Sequence, residues 1–195
     1  MNTHWYAEIE KLSPCQAAFE WLKTQPSAEI AWEVCHRGDW MLWMLGEMHY
    51  ETGSLEHKRI VLAACAIARL SLIYVNEGET RPLVAIEKAE AWAKNGGTTL
   101  EEVETAVVQV ARASCVEAHC VAAQAAFAAQ AACLAAQVVR AAQAASQAAV
   151  HAAYAIQASQ AAVSAGHAKS DMFKECAKIV RVYFQEVPEI ATLRG

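Results

Sequence analysis

The sequence predicts an all-α protein, a single-domain multi-helix bundle with an alanine-rich C-terminal half of closely packed helices. Three observations predict it. Residues 101–165 contain neither glycine nor proline, and about half of residues 118–168 are alanine, the best helix former. Apolar residues recur at helical spacing, as in Val61, Cys65, Ala68, Leu72 and Val75. Helix punctuation separates such stretches, with Gly96-Gly97 as the firmest break and Thr99-Leu-Glu-Glu102 as a capping box after it.

The 195 residues suffice for one domain with a core of its own. Residues 1–95 form an aromatic-rich, acidic half, and residues 98–187 form the alanine-rich half. All six tryptophans precede residue 93. Alanine helices gain little from each buried side chain, so they need large partners. The densest block of these is Cys35-His-Arg-Gly-Asp-Trp-Met-Leu-Trp-Met-Leu45, on which the alanine half is expected to pack.

In chain order, residues 5–12 read as a short helix carrying Trp5, Ile9 and Leu12. Ser13-Pro14 restarts the helical pattern, with Ser13 as cap and Pro14 in the first turn, and Ala18, Trp21 and Leu22 mark an inner face. After Gln25-Pro26, Ser27 caps a brief helix through Ile30, Trp32 and Val34. His36 to Gly38 is read as a turn. Asp39 is expected to cap a helix over 39–50, accepting from free backbone N–H groups, with Trp40, Trp43 and Met44 on one face. A helix over 56–76 is apolar around most of its circumference, which places it in the middle of the fold. Arg69 lies within it and either reaches outward or pairs with a carboxylate. Thr80 caps a helix over 81–94 with Pro82 in its first turn. Its inner face is Ile86, Ala89 and Ala93, with Trp92 at the edge and Glu87, Glu90 and Lys94 opposite.

A single helix over 101–165 would run on the order of 95 Å, too long for this chain. Breaks are expected near 114–119 and 143–147. Gly166 ends the run, and a last helix carries Phe173, Cys176, Ala177, Val180 and Phe184 up to Pro188. Residues 120–139 carry no charge, but Gln124, Gln130 and Gln137 recur and the flanking anchors of a membrane span are absent. No membrane insertion is expected.

The net charge of −5 is unevenly placed. Residues 1–104 hold 16 of the 21 acids and 9 of the 16 bases. An acidic front half argues against direct nucleic-acid binding and suits a basic protein partner. Seven cysteines, an odd number set mostly in helical patterns, read as reduced, mostly buried side chains of a cytoplasmic protein. The N-terminus lacks the basic and apolar regions of a signal peptide.

No motif specifies catalysis. Cys115 and His119 share a helix face beside Glu117 and Cys120, but no second ligand pair completes a zinc site. No metal or other cofactor is expected. Cys35 and His36 are adjacent and so point apart, a poor arrangement for a nucleophile and its base. An enzyme would need Cys35, His36, Asp39 and Arg69 to meet in one pocket.

Three stretches together resemble a known family. They are Cys35–Leu45; Arg59-Ile-Val-Leu-Ala-Ala-Cys-Ala-Ile-Ala-Arg69 with Glu79-Thr-Arg-Pro-Leu-Val-Ala-Ile-Glu-Lys-Ala-Glu-Ala-Trp92; and the alanine-rich back half closing with Ala177-Lys-Ile-Val-Arg181. The chain resembles the all-α immunity proteins of bacterial polymorphic toxin systems, the immunity-protein-five type, which also occur in phage genomes. The resemblance spans about residues 30–185. It departs in the back half, where many tyrosines are expected among the alanines and Tyr154 is the only one in the alanine-rich run 118–168, with glutamines around it.

The resemblance implies a non-enzymatic cytoplasmic protein that neutralises a toxin or nuclease-like effector by covering its active or substrate-binding surface. A phage-encoded inhibitor of a host defence complex is the related alternative. A structural helical oligomerisation module, giving a homo-oligomer, is the third. The expected partner-binding residues are Arg37, Glu87, Glu90, Glu101, Glu102 and Glu104. Asp39, Trp40, Trp43, Arg69 and Trp92 are expected to be structural, although Glu90 or Glu87 is also a natural partner for Arg69.

Overall fold

A computed structural model describes residues 4–48, 50–75, 77–114 and 162–188. These residues form eight α-helices and no strand, an all-α fold. In order the helices are α1 (Ala7–Lys11), α2 (Gln16–Lys23), α3 (Ala28–Val34), α4 (Gly38–Glu47), α5 (Leu55–Arg69), α6 (Arg81–Ala93), α7 (Leu100–Ser114) and α8 (Ala162–Tyr183). The expected breaks near 114–119 and 143–147, the uncharged run 120–139 and the Cys115, Glu117, His119 and Cys120 group lie outside the described residues, save Ser114 at the end of α7.

The core is assembled around α5. Both of its apolar stripes are buried: Val61, Cys65 and Ala68 on one, Ile60, Ala64 and Ile67 on the other. Helix α6 lies against one side of it and α8 against another, while α7 packs on α6 and α4 on α8. Val103 and Val110 of α7, Ile86 and Ala89 of α6, and Met172, Phe173, Cys176 and Val180 of α8 join the same cluster. Each fully buried Ile or Val there contributes roughly 1.5–3 kcal/mol relative to exposure.

Several helix ends form as the sequence indicates. The Ser27 hydroxyl accepts from Ile30 N–H at 3.3 Å at the start of α3. The capping box of α7 is reciprocal: Thr99 N–H donates to Glu102 Oε2 at 2.9 Å, and Glu102 N–H to Thr99 Oγ1 at 3.3 Å.

Other ends differ, each for a local reason. Ser13 does not cap α2, which starts at Gln16 after Cys15. Pro14 denies Ser13 the right-handed helical region; Ser13 takes φ 56° and closes α1 by donating its N–H to Glu10 O. Thr80 stands before α6 without a side-chain cap bond. Glu79 does that work instead, accepting from Arg81 N–H at 2.9 Å. Helix α5 stops at Arg69, short of residue 76, and a 3₁₀ turn follows at Leu72–Tyr74. Ser71 explains the early end: its hydroxyl and its N–H both turn back to Ala68 O, competing with helix continuation. Helix α6 ends on Asn95 at φ 59°, with Asn95 N–H on Trp92 O and Gly96 N–H on Ala91 O. This is a Schellman stop, with asparagine rather than glycine in the left-handed position. Gly166 does not end a helix, because α8 runs through it; one interior glycine costs only about 1 kcal/mol against alanine.

The start of α4 is the largest departure. Gly38 is already helical, and Arg37, without a side-chain cap bond, is the residue before it. Gly38 faces α8 at touching distance: a Cβ there would lie 2.5 Å from the Ala177 nitrogen and overlap the Cys176 side chain. The core face of α4 is therefore Gly38, Met41, Leu42 and Leu45, at i, i+3, i+4 and i+7. Trp40, Trp43 and Met44 lie on the next face round and are half-buried.

Gly38→Ala should destabilise the protein by about 2–3 kcal/mol or more through overpacking, although alanine favours an isolated helix by about 1 kcal/mol. Urea unfolding of the two proteins checks the sign. A neutral or stabilising alanine would mean that α4 and α8 do not meet backbone to backbone at this point.

Candidate functional site

The Cys35–Leu45 stretch joins α3 to α4 and carries most of its polar groups inward. Arg37 holds Asp39 bidentately, Nε to Oδ1 at 2.8 Å and Nη2 to Oδ2 at 2.6 Å. Its guanidinium sits 4.4 Å from the ring centres of both Trp40 and Phe173, a cation placed between two aromatic faces from α4 and α8. Asp39, at 8% exposure, is thus the ion partner of Arg37. It is the second residue of α4, two past the cap position, and so cannot act as the expected cap. Arg37, expected to be free for a partner, is committed within the chain.

Arg181 of α8 completes the joint. Its Nε donates to Trp32 O at 3.1 Å and its Nη2 to Cys35 O, placing a cation on the carbonyl end of α3, where one is favourable. Trp32 Nε1 answers by donating to Phe184 O at 3.1 Å. Arg181 closes the third stretch of the family resemblance, and nothing in its sequence context marks it as a clasp.

Beside α4 lies an apolar cavity of about 50 Å³, lined by Trp5, residues of α1–α4, Cys35 and Val187. Five of the six tryptophans line it: Trp5, Trp21, Trp32, Trp40 and Trp43. Trp21 and Trp40 meet at 5.9 Å between ring centres, tilted by 52°. Trp5 Nε1 donates outward to Gln25 O at 3.0 Å. Sequence reasoning treated these rings as filling for the alanine helices and missed that they converge. The only signal was their concentration before residue 93.

The residues an enzyme would have needed do not form one constellation. Cys35 is buried and its Sγ contacts Arg37 O at 3.6 Å; burial pushes its thiol above the ordinary range. His36 beside it is exposed. Asp39 is bound to Arg37 and Arg69 to Glu90. Burial also pushes the Cys176 thiol up to about 12. Cys35, Cys65 and Cys176 are buried as expected, whereas Cys15 is exposed. Among the described residues no group of three or more His, Cys, Asp or Glu side chains could hold a metal ion. No helix among them is long and apolar enough to cross a membrane.

The expected acidic residues divide into two kinds. Glu90 is used internally: Arg69 donates Nε to Oε1 at 2.7 Å and Nη2 to Oε2 at 3.1 Å, and Lys94 adds a contact at 3.5 Å. Glu102 is half of the capping box and receives Lys88 at 3.4 Å. Glu87, Glu101 and Glu104 are exposed and form no ion pair with a described residue. Trp92 is half-buried at the edge of α6, 5.4 Å from the buried His57 ring, with the Lys58 ammonium 5.9 Å from its own ring. No family model, curated protein or solved structure matches the chain.

The Arg69–Glu90 pair makes a pH prediction. Burial raises the Glu90 carboxyl, but the hydrogen bond and charge of Arg69, with Lys94, outweigh it and hold the group below its ordinary value. A lowered folded-state pKa gives stability that is present above the unfolded value, near 4.3, and is lost as pH falls through the folded one. Glu90→Gln should cost about 1–2 kcal/mol at pH 7, and that cost should shrink below about pH 4. Denaturant titrations at pH 7 and pH 3.5 read this directly; an equal cost at both would show that the ion pair is not its source.

Proposed function

We propose that this protein is a non-enzymatic cytoplasmic binding protein that neutralises a toxin or nuclease-like effector by covering its active or substrate-binding surface. The reading rests on the resemblance carried by Cys35–Leu45, Arg59–Arg69, Glu79–Trp92 and Ala177–Arg181. The observation that carries it physically is the acidic exposure of the packed α6–α7 pair. Glu87, Glu101 and Glu104 are exposed, while the neighbouring cation Lys88 is drawn to Glu102. Glu101 and Glu104, which form no ion pair with a described residue, keep their field for a partner, and Glu87 adds to it although it also feels the Arg69 charge. A basic, phosphate-binding surface is the partner such a field steers.

Occlusion suits this construction. Helices α6 and α7 are capped at the loop joining them, through Asn95, Gly96 and the Thr99–Glu102 box. They would meet a partner with little ordering left to do, which lowers the cost of association. The acids expected to act are Glu87, Glu101 and Glu104, without Arg37 or Glu90, whose charges are already spent within the fold.

Co-expression with a nuclease toxin from the same operon should restore growth, and the purified pair should associate faster at low ionic strength than at high. The double change Glu101→Lys, Glu104→Lys should lower the association rate about tenfold at low salt and flatten its salt dependence, with the helical signal retained. Unchanged rate and salt slope in that variant would remove the acidic helices from the interface. Capture of a nucleic-acid-guided defence complex in place of the toxin would assign the same surface to counter-defence.

A further inference from the structure

We draw no further inference here: the strongest candidate, the surface patch of the α6–α7 pair where the exposed valines Val84 and Val108 stand one helical turn from Glu87 and Glu104, belongs to the acidic surface already described, and nothing in the structure shows what covers its apolar part.

Discussion

Helix α4 can lie on α8 only because residue 38 has no side chain. At that crossing the Gly38 backbone meets Cys176 and Ala177 directly, and both of those α8 residues are themselves small. Every polar contact of the joint is indexed to it. Arg37, one residue before, is clasped by Asp39, one residue after, and lies between Trp40 of α4 and Phe173 of α8. Eight residues further along α8 from Phe173, Arg181 reaches the carbonyls of Trp32 and Cys35. A one-residue shift of α4 would put Arg37 or Asp39 against the α8 backbone, where neither fits. The contact therefore sets the register of the front of the chain on its last helix.

Much of the fold could be read from local chemistry, because local chemistry decides it. The Ser27 cap, the Thr99–Glu102 box and the double apolar stripe of α5 each depend on residues within one or two helical turns. The misreadings share a different cause. An aspartate at the cap and an aspartate in the first turn look alike in sequence, and only the α8 crossing shows that Gly38 is already helical. Ser71 ends α5 by bonding back to Ala68, a choice the surrounding apolar pattern conceals. Ser13 and Asn95 adopt left-handed conformations more often given to glycine. The Arg69–Glu90 pair could be anticipated as one of two outcomes for an arginine inside an apolar helix. The clasp of Arg181 and the convergence of five tryptophans could not, because the first joins residues up to 149 positions apart and the second joins separate short helices.

Charge is sorted by the same architecture. Arg37, Arg69 and Arg181, the half-buried arginines among the described residues, are all consumed by acceptors within the chain. The exposed acids of α6 and α7 form no ion pair with those cations, so the acidity of residues 1–104 in sequence becomes acidity at the surface. The buried thiols carry no charge into the interior: Cys35 and Cys176 are both shifted upward by burial and stay protonated at neutral pH. They serve as small apolar groups of the interior, Cys176 at the point where α8 touches Gly38.

The cavity follows from the crossing. Helix α4 is pressed against α8 on its Gly38 face with no clearance, so it cannot move toward α8 or slide along it. The neighbouring face carries Trp40, Trp43 and Met44, which line the cavity together with residues of the short helices α1–α3. Helix α3 is fixed in turn, since the clasp of Arg181 and the Trp32–Phe184 bond tie it to α8 independently of α4. Two elements held separately on α8 have a spacing set by α8 and not by their own contact. Rigid indole rings, with two side-chain torsions each, cannot adjust to close such a gap, and protein interiors relax only partly around a void. The space among the tryptophans is thus a consequence of zero clearance on the Gly38 face of α4. It should disappear if residue 38 were allowed to push the two helices apart.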